Sequence, residues 1–151
     1  MVNVGVISDT HGLLRPEAVA ALRGVDAILH AGDIGAPEVL AELEKIAPVY
    51  AIRGNVDVEP WAKPIPVTRT VELAGRKFHL IHNRAEPKTP PQGVAAVIFG
   101  HSHQPLIEHT GEILYFNPGS AGPRRFRLPI SIGRIRIDNG ALQPELIPLL
   151  P

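Results

Sequence analysis

Residues 2–12 read VNVGVISDTHG. Val2 to Ser8 is a short run rich in β-branched residues, which predicts a buried strand. Asp9 and His11 follow at once, where that strand should end. A polar pair directly after a buried strand is the pattern of a site at the carboxyl edge of an α/β sheet.

The neighbouring segments extend this pattern. Arg15 to Leu22 is predicted helical, with Pro16 in the first turn, where a missing N–H costs nothing. Val25 to His30 reads as a second buried strand. Pro37 to Ile46 reads as a second helix, with Val39, Leu40, Leu43 and Ile46 at helical spacing. Val49 to Ile52 is a third strand, so the chain starts as parallel βαβ units.

After Pro60 hairpins take over. Val67 to Leu73 is expected to pair with Lys77 to His82 across Ala74-Gly75. Leu106 to Glu108 pairs with Ile113 to Phe116 across Thr110-Gly111, and Ile130 to Ile137 with Ala141 to Ile147 across Asn139-Gly140. Val94 to Phe99 is one more buried strand. It follows a loop, Arg84 to Gly93, stiffened by Pro87, Pro90 and Pro91. The apolar phase switches between Ile130, Ile132 and Ile135, Ile137, which predicts a β-bulge beside Gly133. The expectation is one mixed α/β domain over residues 1–151, with two sheets and helices outside.

The 151 residues are 44% hydrophobic and 20% charged, the balance of an ordinary globular domain. Fifteen basic and fifteen acidic residues cancel, which disfavours extended nucleic-acid binding. There is no cysteine, so oxygen and imidazole are the strong ligands available. No apolar run is long enough to span a membrane, and the first residues lack a signal peptide's charged start. A cytoplasmic protein is expected.

Five short polar segments each lie at or just after the end of an expected strand. They are Asp9-Thr10-His11-Gly12, Gly32-Asp33, Gly54-Asn55-Val56-Asp57, His82 and Gly100-His101-Ser102-His103. Alone, each has an ordinary explanation as a turn or a packed residue. Together they supply carboxylate, imidazole and amide ligands without sulfur, a set that suits Mn²⁺, Fe or Zn²⁺.

In order and spacing, this set resembles the calcineurin-like metallophosphoesterase superfamily, in particular its small single-domain phosphodiesterase branch. Asn117-Pro118-Gly119-Ser120 and Pro123-Arg124 carry the resemblance further. It implies a four-layer αββα sandwich of two mixed β-sheets flanked by helices. It implies two divalent ions per chain, Mn first, with Ni, Co, Fe, Zn or Mg as alternatives. Asp9, His11, Asp33 and His103 would hold one ion. Asp33, Asn55, His82 and His101 would hold the other. Asp9, Asp33 and Asn55 are the expected catalytic residues, with Asn55 also touching substrate. The implied reaction is hydrolysis of a small phosphodiester by a hydroxide that bridges the ions. A non-catalytic scaffold, such as the retromer subunit of this fold, would lack ligands. Here no position is vacant. A phosphomonoesterase or a nuclease is the other alternative.

Two positions depart from that pattern. Val56 stands where many members carry a His that protonates the leaving group. Asn83-Arg84 follows His82 where the branch often has Gly-His, and Arg84 is a candidate substrate contact. His30, His79 and His109 are expected to be packed or exposed, and Asp57 to cap a following turn, with orientation of neighbouring groups as its alternative. Trp61 is expected near the cleft mouth, and Arg124, Arg125 and Arg127 form a small basic cluster. The hairpin edges could pair between subunits.

Overall fold

The computed structural model describes residues 1–85 and 89–151, so the expectation about Pro87 lies outside the described residues. The β-branched start forms β1 (Val2–Ile7), which pairs in parallel with β2 (Ala27–His30). Between them lies α1 (Pro16–Ala21), with Pro16 in its first turn. Helix α2 (Pro37–Glu44) leads to β3 (Val49–Ala51), parallel to β2. α2 stops before the expected Ile46 because Pro48 biases the residue ahead of it away from helical backbone. The next strands are β4 (Thr68–Leu73), β5 (Arg76–Ile81), β6 (Ala96–Ile98), β7 (Leu106–Thr110) and β8 (Ile113–Asn117). The chain closes with β9 (Ser131–Asp138) and β10 (Ala141–Pro148).

Two five-stranded mixed sheets result, in the orders β10-β9-β1-β2-β3 and β4-β5-β6-β8-β7. Their facing sides interdigitate. Val4 and Val6 of β1, Leu29 of β2 and Ile135 and Ile137 of β9 meet Phe78 and Leu80 of β5 and Phe116 of β8. Each such side chain contributes about 1.5–3 kcal/mol by leaving water. The other face of the first sheet is covered by both α-helices, where Ile7, Ile28 and Ile132 pack under Ala18, Leu22, Val39 and Leu43. The far face of the second sheet carries a smaller cluster, Ile81, Val94, Val97 and Phe99, which draws on no helix. The expected sandwich is present, with its α-helices gathered on one side.

The expected bulge at Gly133 is absent. β9 keeps one unbroken register with β10 from Ser131 to Asp138, and with β1 from Gly133 to Ile137. Ile132 and Ile135 face opposite sides because the strand is buried on both: Ile132 lies under the helices, Ile135 between the sheets. Gly133 is small for a separate reason. A β-carbon there would collide with the Phe116 ring.

Candidate metal centre

The two ladders continue past their strands and draw the polar loops together. Beyond β1 and β2, Asp9 N–H donates to the Gly32 carbonyl (3.0 Å) and His11 N–H to the Asp33 carbonyl (2.9 Å). In the second sheet, Gly100 N–H donates to the His82 carbonyl at 3.0 Å. The carboxyl ends of β1, β2, β3, β5 and β6 therefore converge on one cleft.

Backbone strain concentrates in the same place. Asp9, His11, Asp33, His101 and His103 all have positive φ, between 48° and 72°. Among the described non-glycine residues only Ala74, Phe126 and Asn139 share this. Such residues cost on the order of 1–3 kcal/mol each and persist where the surrounding structure enforces them. Gly54 serves the same crowding. A β-carbon there would collide with the Asp33 carboxylate and backbone nitrogen.

The side chains aim at a shared volume. His103 Nε2 lies 3.4 Å from Asp9 Oδ1, and His11 Nε2 lies 3.9 Å from the same oxygen. Asp33 Oδ2 stands between two imidazoles, 3.6 Å from His11 Nε2 and 3.1 Å from His82 Nε2. Asp9, His11 and His103 can together hold one cation, as can Asp9, Asp33 and His82. At the rim, Asn55 Oδ1 and His101 Nδ1 are 3.3 Å apart, and the His101 and His82 rings meet edge to face. All seven candidate ligands thus line one site.

Five of their atoms, Asp9 Oδ1, Nε2 of His11 and His82, and both ring nitrogens of His103, are buried with no hydrogen-bond partner among the described residues. Burying a polar atom unpaired costs about 1–3 kcal/mol. Even the 3.1 Å approach of His82 to Asp33 is misaligned for a hydrogen bond, so both point at common space rather than at each other. A donor set of carboxylate oxygen and imidazole nitrogen fits borderline divalent cations.

The opposite ends of Asp9, Asp33 and His82 are tied down. Asp9 Oδ2 accepts from Ser8 Oγ (2.7 Å) and His101 N–H (3.2 Å), and Asp33 Oδ1 accepts from Val56 N–H (3.1 Å). His82 Nδ1–H donates to the Ala31 carbonyl at 2.7 Å, which leaves Nε2 for the centre. Burial alone would raise the Asp33 carboxyl, but His82, Val56 N–H and His11 hold it at about 2. For His82, burial opposes the charged form, yet Asp33, the Ala31 carbonyl and Asp9 raise it above the ordinary value.

A supporting layer lies behind. Asp57 is buried and, beyond capping its own turn, orients its neighbours. Its carboxylate accepts from Ile34 N–H (3.0 Å), Gly35 N–H (2.9 Å) and Gly54 N–H (2.9 Å), so it clamps the Asp33 loop to the Asn55 loop. His30 is fully buried. Its Nδ1 accepts from Gly32 N–H (3.1 Å), and its Nε2 meets Thr10 Oγ1 (3.1 Å), which donates to the Ile34 carbonyl. Burial pushes the His30 imidazole down to about 4, consistent with that neutral tautomer. Asn117 Nδ2 donates to the Gly100 carbonyl (3.1 Å) and Ser120 Oγ to the Asp9 carbonyl (3.1 Å), bracing two further loops.

Other expectations resolve as follows. Arg84 donates to Glu108 (3.3 Å) and lies over the Phe99 and Tyr115 rings. It lines a cavity that touches His101, but its guanidinium is already engaged. Trp61 packs against the helix-side core rather than at a cleft mouth. His79 is buried beside Thr70, while His109, Arg124, Arg125 and Arg127 are exposed. Arg53, which nothing in the sequence singled out, lines a cavity with Asn55, His82 and His101.

The family model of the calcineurin-like phosphoesterase superfamily domain matches residues 2–140. The chain belongs to that superfamily. Membership places it among phosphoric ester hydrolases. A probable metallophosphoesterase of Methanothermobacter thermautotrophicus is 39% identical, over 95% of this chain and 91% of the relative. Among solved structures, an archaeal phosphodiesterase superposes with a TM-score of 0.80 at 27% identity, over 98% of this chain and all of that one (100%). Vps29 of Chaetomium thermophilum superposes at 0.78 with 17% identity, covering 98% and 97% of the two chains; this likeness shows the fold alone. Among the described residues, no helix of this superfamily member is long and apolar enough to cross a membrane.

Proposed function

We propose that the chain, as one domain over residues 1–151, is a metal-dependent phosphodiesterase with a dinuclear site. Asp9, His11, Asp33 and His103 hold one divalent ion. Asp33, Asn55, His82 and His101 hold the other, with manganese the first candidate. The observation that carries this reading is the convergence of buried, unpartnered atoms of Asp9, His11, His82 and His103 from three separate loops. Asp33 Oδ2, between His11 and His82, is suited to bridging. The relatives named as metallophosphoesterase and phosphodiesterase support the same activity.

A bound ion pair supplies a water acidified towards neutral pH and positive charge for the phosphoryl oxygens. The protein does the rest by position. Asp9 and Asp33 fix negative charge where the cations belong, and two carboxylates against two divalent ions leave the centre attractive to a diester monoanion. Ala31 fixes the His82 tautomer. Asn55 is exposed at the rim, so its amide N–H can donate to a substrate oxygen. Val56, 42% exposed beside it, has no proton for the leaving group, which favours diesters with acidic leaving groups. Work in the cytoplasm belongs to the same reading.

The test is an assay of metal-stripped protein reloaded with Mn²⁺, Ni²⁺, Co²⁺ or Mg²⁺, on an aryl phosphodiester beside its monoester. Hydrolysis of the diester that needs metal and disappears in Asp33→Ala and Asn55→Ala is expected. Activity without metal, or untouched by Asp33→Ala, contradicts the reading. No turnover with any metal moves it to the scaffold alternative.

A further inference from the structure

A cavity of about 470 Å³ opens from the candidate metal centre along the side of Asn55, His82 and His101. Its remaining polar lining is Arg53, Thr68 and Asn83, and no carboxylate lines it among the described residues. Arg53 is half-buried, its Nε is buried with no hydrogen-bond partner, and no described acidic side chain pairs with it. Only its backbone is committed, donating to the Pro66 carbonyl at 2.8 Å. Arg84, by contrast, has its guanidinium engaged by Glu108.

An unpaired guanidinium in the wall of a cavity is an anion site in waiting, because its planar fork matches carboxylate and phosphate oxygens. Arg53 is two residues from Asn55, at most about 7 Å of extended backbone. Because Arg53 lines one cavity with Asn55, His82 and His101, an anion held by Arg53 can belong to the same substrate molecule as the phosphorus under attack. Resting on the phosphodiesterase reading above, we infer that Arg53 forms a subsite for a second anionic group. The favoured substrates are then phosphodiesters that carry a further phosphate or carboxylate a few bonds from the scissile phosphorus. Thr68 and Asn83 are the neutral hydrogen-bonding groups beside that subsite.

The test compares two diesters with the same p-nitrophenyl leaving group, one esterified to glycerol and the other to glycerol 3-phosphate. The metal-loaded wild type should prefer the phosphorylated ester by at least about tenfold in kcat/KM, the scale of one charge-assisted contact, with the gain in KM rather than kcat. Arg53→Gln should collapse that preference, and Arg53→Lys should restore part of it. Equal use of both esters by the wild type overturns the subsite and leaves the diesterase reading standing. A preference that survives Arg53→Gln, or an equal loss on both esters in that variant, also overturns it. A wild type inert on both esters with every metal contradicts the diesterase reading and the subsite together.

Discussion

His82 Nε2 stands 3.1 Å from Asp33 Oδ2, while the far side of its ring donates to the Ala31 carbonyl. Without a cation the two neighbours stabilise each other's charged form. Asp33 titrates at about 2 in the fold against an ordinary 3.8, so its contribution is present above 3.8 and lost as pH falls towards 2. His82 is raised, so its contribution is complete below 6.5 and is lost as pH rises through its folded value. The metal-free pair therefore stabilises the fold between those limits and weakens above them. Ligation requires His82 Nε2 without its proton, so stabilisation by metal should grow as pH rises through that region. Melting curves of chelated and Mn²⁺-loaded protein from pH 5 to pH 8 check this, the protein's gap in midpoint widening with pH. A constant gap contradicts it.

Asp57 accepts three backbone N–H groups from the loops that carry Asp33 and Asn55. Asp57→Ala should destabilise the fold by at least about 2 kcal/mol, since buried donors lose their acceptor. Metal affinity should fall about 10–100-fold, as for other groups that orient ligands. Urea unfolding and metal titration of the variant measure both. An unchanged affinity would show that the loops hold their places without the clamp.

Much of this was legible in the sequence, and the limits are physical. The five candidate segments could be read because each puts side chains of metal-ligand type at the end of an apolar run such as Val2 to Ser8. The supporting residues could not. His30 lies inside a buried strand, where a lone histidine is indistinguishable from packing. Arg53 has no periodic partner, and Asp57 carries a sequence signal that serves a turn cap and an orienting group equally. The phase switch around Gly133 misled because periodicity assumes one wet face, whereas β9 is covered on both faces at Ile132 and Ile135.

His30 is neutral in the fold, pushed down by burial to about 4 from 6.5. A histidine with a lowered folded value binds its proton more readily when unfolded, so stability is lost as pH falls from 6.5 towards 4. The loss grows by about 1.4 kcal/mol per pH unit and approaches about 3 kcal/mol only as pH reaches the folded value of about 4. His30→Gln should be less stable at pH 7, through its lost bonds, yet less sensitive to acid. Urea midpoints of chelated wild type and variant at pH 4.5 and pH 7 test this. Equal acid sensitivity of the two would place the titration elsewhere.

Val56 projects into solvent while its N–H holds Asp33 Oδ1. Rates across a series of aryl and alkyl diesters should fall steeply as the leaving group becomes more basic. Val56→His should flatten that dependence and raise turnover of poor leaving groups by up to about 10²-fold. A wild-type rate indifferent to the leaving group would reveal another proton donor.

The central claim is that seven side chains from separated loops hold a pair of cations around Asp33. Calorimetric titration of Mn²⁺ into metal-stripped protein tests it most directly. Two ions bound per wild-type chain, with both weakened in Asp33→Ala, is the predicted result. A single ion in the wild type, or two bound undiminished after Asp33→Ala, would contradict it.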